Sequence, residues 1–105
     1  MRSFEVDRLA YDEYLDAAVW YEEQREGLGA EFMDEVERVL RFIERSGDFV
    51  TAPIEKLDDG AVVRRELVGR FPYVVVFVES DALRKVILIR RADSDPERWR
   101  ARSGR

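Results

Sequence analysis

Apolar positions recur along this chain with two different periods, and the change from one to the other falls near its middle. Ser3 to Val6 alternates, with Phe4 and Val6 facing away from Glu5, which predicts a short first strand. Asp7 or Arg8 opens a helical stretch that runs to about Gln24. Within it Tyr11, Tyr14, Leu15, Ala18 and Tyr21 fall at the three- and four-residue spacings of one helix face. Gly27-Leu28-Gly29 breaks that pattern, because glycine tolerates the dihedrals of a tight helix–helix turn. A second helix is expected from about Gly29 to Arg45, with Phe32, Val36, Val39, Leu40 and Ile43 as its apolar stripe. Ser46-Gly47-Asp48 stops it.

After a loop holding Pro53 the period becomes two. Val62 to Val68 sets Arg64 and Glu66 on one face, and Val63, Arg65 and Leu67 on the other. Phe71-Pro72 ends that strand. Tyr73 to Val78 is unbroken apolar, the pattern of a central strand covered on both faces. Ser80-Asp81 supplies the next turn. Arg84 to Arg91 follows as the partner strand, with Val86, Leu88 and Arg90 on one face and Lys85, Ile87, Ile89 and Arg91 on the other. Asp95 reads as an N-cap with Pro96 at the first helical position, which opens a short helix through Trp99. The order β-α-α-β-β-β-α, with short links between the last three strands, predicts an α+β fold. A helical hairpin packs on a mainly antiparallel sheet and a short helix closes the chain. With 105 residues the expectation is one domain, 1–105, whose last residues, 100–105, form a basic frayed tail.

Composition narrows the chemistry. The chain has no cysteine and no histidine. Thiolate nucleophiles, disulfides, thiolate zinc sites and histidine-based hydrolases are therefore excluded, together with nucleases built on a histidine pair. No apolar run approaches the roughly 18 to 20 residues of a spanning helix, so no membrane partner is expected. The first residues, Met1-Arg2-Ser3-Phe4-Glu5, lack the apolar region of a secretory signal, and a cytoplasmic protein is the expectation. The net charge of −5 is unevenly spread. Residues 1–48 carry 14 acidic and 6 basic side chains, whereas 49–105 carry 9 and 12. Such a division fits two surfaces with two tasks, although solvated faces would produce it too.

The acidic clusters Glu22-Glu23, Asp58-Asp59 and Asp93-Ser94-Asp95 lack the spacing of a calcium loop, so neither a metal nor another cofactor is expected. The glycines at 27 and 29 follow no strand and precede no phosphate-loop lysine, which leaves them as a turn. The arginines say more. Arg64 and Arg65 sit inside a strand, and Arg90 and Arg91 close another. An arginine there either pairs with an acid such as Glu66 or Glu79, or lines a face that grips phosphate or carboxylate bidentately. Trp20, Tyr21 and Trp99 are expected in the core, since aromatics on helices usually pack inward.

Three segments, Trp20 to Phe32 (WYEEQREGLGAEF), Arg70 to Val78 (RFPYVVVFV) and Ser94 to Trp99 (SDPERW), together resemble the RelE/ParE superfamily of bacterial toxins, and so does their order. The first two look closer to the ParE-like branch. The resemblance spans about Phe4 to Trp99 and implies the α+β fold just derived. It also implies a toxin of a type II toxin–antitoxin pair, neutralised by a cognate antitoxin that wraps over helices and sheet, with a homodimer or a toxin–antitoxin hetero-oligomer as the assembly. A ParE-like member poisons DNA gyrase through protein contacts and needs no general base. A RelE-like member cuts messenger RNA on the ribosome, for which Arg64, Arg65, Tyr73, Arg90 and Arg91 are the catalytic candidates and Glu55, Glu66, Lys56 and Lys85 the remaining proton-moving groups. A binding module without toxicity is a further alternative. Antitoxin or target contacts fall to Arg64, Arg65, Arg90, Arg91, Arg98 and Trp99. The chain departs from many relatives before its aspartate–proline, where a histidine and a basic pair are replaced by Arg91, Asp93 and Ser94. Asp93 reverses the charge at that point.

Overall fold

The structure, a computed structural model, describes residues 2–47 and 53–93. The short helix expected after Asp95 and the tail 100–105 lie outside the described residues. The elements are β1 (Ser3–Val6), α1 (Arg8–Gln24), α2 (Leu28–Arg45), β2 (Pro53–Lys56), β3 (Val62–Leu67), β4 (Tyr73–Glu79) and β5 (Leu83–Arg91). They form one five-stranded sheet in the order β1-β5-β4-β3-β2. Every pairing is antiparallel except that of β1 with β5, which is parallel. The helical hairpin covers one face, where Phe32, Val36 and Ile43 of α2 meet Val75 and Phe77 of β4 and Val86 and Ile89 of β5.

Local chemistry fixes the hairpin. Asp7 caps α1 by accepting the Leu9 amide. α2 has no capping side chain of its own, because Gly27 occupies the N-cap position with φ of 87°. Glu22 of α1 substitutes for one: its carboxylate accepts the amides of Gly27 at 2.9 Å and Gly29 at 3.0 Å. Gly29 is also where the two helices touch, for a Cβ there would stand 2.6 Å from the Ala18 carbonyl oxygen. Further along, the Tyr14 hydroxyl donates to Glu37 across the hairpin at 3.0 Å.

α2 buries the stripe expected of it, with Phe32, Val36, Val39 and Ile43 enclosed and Leu40 packed beside them. α1 is rotated from its expected face. Its buried residues are Ala10, Tyr14, Ala17, Ala18 and Tyr21, whereas Tyr11 and Leu15 are exposed. α1 carries apolar residues on more than one side, and the small alanines let its backbone lie close to the sheet while Tyr14 and Tyr21 fill the ring cluster with Phe32.

Two features of the sheet differ from the sequence reading. Pro53 begins an edge strand, β2, rather than lying in a loop. It is four residues long and its register with β3 is irregular between Pro53 and Glu55, so it shows no alternation, and an edge position tolerates the missing proline N–H. β5 breaks its own alternation as well. Val76 stands opposite Leu88 but Phe77 opposite Val86, which leaves Ile87 as a bulge. Val86 and Ile89 therefore face the helices, while Ile87 and Leu88 join Val63, Val74, Val76 and Val78 on the far side. Among the described residues no helix is long and apolar enough to cross a membrane.

Candidate functional site

β1 is short. Its pairing with β5 ends where Val6 meets Val86, and beyond that point the edge of β5 lies beside α1. The resulting cleft, of about 350 Å³, is bounded by Glu13, Asp16, Ala17 and Trp20 on α1, by Tyr73 on β4, and by Ile89, Arg90 and Arg91 on β5. Glu13 replaces the missing strand. Its carboxylate accepts the Ile89 amide at 3.2 Å and Nη1 of Arg90 at 3.1 Å. Arg91 is held differently: Nε and Nη2 donate to the two carboxylate oxygens of Asp93 at 3.0 and 3.2 Å. That guanidinium keeps the Asp93 carboxyl below the usual aspartate range. Burial pushes the Tyr73 hydroxyl above its ordinary value, and neighbouring Tyr21 adds to the effect, so it stays protonated at neutral pH.

The structure brings Tyr73, Arg90 and Arg91 together at this cleft. Arg64 is elsewhere, buried in β3 with Nε donating to Glu79 at 3.1 Å. Its neighbour Arg65 is exposed and stands opposite Val76. Arg98 and Trp99 lie outside the described residues. Glu55 and Glu66 belong to β2 and β3 and do not line the cleft, and burial raises the Glu66 carboxyl above its usual range. Trp20, expected in the core, has half its surface in solvent at the cleft, and Tyr21 takes the inward place beside Phe32 and Phe71.

Sequence reasoning missed three acidic or basic residues that matter here. Glu13 and Asp16 share a helix face with Ala17 and Trp20, a spacing visible in the sequence once that face is known to be a wall. Arg84 is only 2% exposed. It donates Nε to Glu79 at 2.7 Å, Nη1 to the carbonyls of Ile43 and Ser46 at 2.7 and 2.5 Å, and Nη2 to that of Gly47 at 2.6 Å. It thus ties the open carbonyls at the end of α2 to the sheet. Among the described residues no group of three acidic side chains converges where a metal ion would sit.

A second surface lies on the outside of the hairpin. Leu15, Ala18 and Val19 of α1 with Gly29, Ala30 and Met33 of α2 form an apolar groove of about 430 Å³, which Glu22 also lines. Val19 is 59% exposed there.

This arrangement has a solved counterpart. The chain aligns with one in the structure titled "Chromosomal ParDE TA system from P. aeruginosa" at a TM-score of 0.72, covering 87% of this chain and 96% of that one with 13% identity. The likeness is one of fold. No family model matches the chain, and no curated protein matches it.

Proposed function

We propose that this chain is the toxin of a type II toxin–antitoxin pair, a single domain over 1–105 that a cognate antitoxin neutralises, and that it acts as a ParE-like inhibitor of DNA gyrase through protein contacts. The observation that carries this reading is the fold it shares with nearly the whole of a chain from a ParDE TA system. Two features of the surface support it. The hairpin groove is apolar and open, with exposed Leu15 and Val19 on one side and the small, exposed Ala30 on the other, so a partner helix can lay large apolar side chains along it. The cleft favours protein contacts over RNA cleavage, because Glu13 and Asp16 line it together with Arg90 and Arg91, and a scissile phosphate needs an excess of cationic charge turned toward it.

The experiment is tightly controlled induction of the chain alone in bacteria, with folded protein verified. The expected result is growth arrest with accumulation of gyrase–DNA cleavage complexes, intact transcripts, and recovery on co-expression of the cognate antitoxin. Cleaved transcripts would move the chain to the ribosome-dependent nucleases. Continued growth with folded protein present would leave a binding module on this fold.

A further inference from the structure

The two arginines of the cleft are held in unlike ways. Arg90 and Glu13 are mostly enclosed, and Glu13 is fastened to the Ile89 amide as well, so this pair belongs to the wall. Arg91 is 50% exposed and Asp93 71%, and they meet through both carboxylate oxygens. A guanidinium takes any carboxylate in that fork geometry. An ion pair standing in water contributes little, so an incoming carboxylate exchanges with it at small cost. Trp20 and Ala17, which line the same cleft, provide an aromatic and apolar surface beside the fork.

We propose that Arg91 and Trp20 form a seat for a peptide segment presenting one carboxylate next to an apolar or aromatic side chain, with Asp93 as the internal placeholder that leaves when the segment arrives. The seat goes beyond the toxin reading and requires no toxicity. Charge favours a peptide over a nucleic acid. Glu13 and Asp16 line the cleft as well, and Glu13 already neutralises Arg90, so a polyphosphate chain meets carboxylates as often as cations. A single carboxylate takes the place on the Arg91 fork that Asp93 vacates. The departure at Asp93 thereby acquires a role as a brake on the site.

The test is an NMR titration near pH 6, following the Trp20 indole and Arg91 Nε signals of the full chain. The probes are N-acetyl-Phe-Glu-amide, its Gln counterpart, and a single-stranded RNA tetramer. The Glu dipeptide is expected to move both signals and the Gln dipeptide to leave Arg91 unmoved. Asp93→Asn should tighten Glu-dipeptide binding by about 1.4- to fivefold, the range of an exposed ion pair. Arg91→Gln should abolish it with the backbone spectrum otherwise unchanged. Unchanged affinity in Asp93→Asn would overturn the placeholder. Shifts from the RNA but not from the dipeptide, or from neither, would overturn the seat.

Discussion

Replacing Arg84 by methionine keeps most of the side-chain volume and removes every hydrogen bond it makes. The carbonyls of Ile43, Ser46 and Gly47 lose their donor, and Glu79 is left with Arg64 alone. Removing one partner of a buried ion pair costs about 3–5 kcal/mol. In a domain of this size that lowers Tm by roughly 10 °C or more. Urea denaturation followed by circular dichroism measures the change, and a cycle with Glu79→Gln tests its origin. Both substitutions strike one network, so the double variant should lose less than the two single losses added together, by about 1–3 kcal/mol. The pH dependence is a second arm. Burial alone would push the Glu79 carboxyl up, but hydrogen bonds from Arg84 and Arg64 outweigh it and hold the group below the usual range. A carboxyl lowered on folding contributes fully above its unfolded pKa of about 4.3, and the contribution is lost as acid carries the folded group through its own lower value. The stability gap between the native chain and Glu79→Gln should accordingly be widest near neutrality and narrow below about pH 4. A loss under about 1 kcal/mol for Arg84→Met, or strict additivity, would refute the reasoning.

Gly29→Ala places a methyl against the Ala18 carbonyl oxygen at 2.6 Å and should cost about 1–3 kcal/mol, read as a lowered thermal midpoint. Val19→Arg changes an exposed position, so stability should hold within about 0.5 kcal/mol while rescue of growth by the antitoxin is lost. Retained rescue would remove the hairpin groove as the antitoxin's seat. Glu13→Ala deprives the Ile89 amide of its acceptor and should speed hydrogen exchange there at least tenfold, with little change at the Phe77 amide in the middle of the sheet.

Periodicity carried most of the fold. The stripe of α2, the uninterrupted apolar run of β4 and the glycine turn between the helices are local signals, and each element formed where those signals pointed. What escaped was set by contacts between distant residues. Nothing near Ile87 announces a bulge, since it arises from the register with Val76 and Phe77 on β4. The burial of Ala10 and Ala17 instead of Tyr11 and Leu15 depends on how closely α1 approaches the sheet, and an apolar count cannot rank the two faces. The site shows the same division. Tyr73, Arg90 and Arg91 were legible because they end adjacent strands. Glu13 was not, because its role exists only where β1 stops short, and neither was Arg84, whose three carbonyl acceptors lie about forty positions earlier in the chain.

The parallel pairing of β1 with β5 has a consequence for synthesis. Ser3 stands opposite Leu83, and Val6 opposite Val86. The helices can form while the chain is still emerging from the ribosome, but the first strand has no neighbour until nearly all of the described sequence has been translated. Contacts this distant make the last step of folding a slow closure rather than a local one. The cleft, walled by α1, β4 and β5, cannot exist until β5 has been made. A translating cell therefore has an interval, set by the synthesis of the residues between β1 and β5, in which this chain can be bound before its sheet closes.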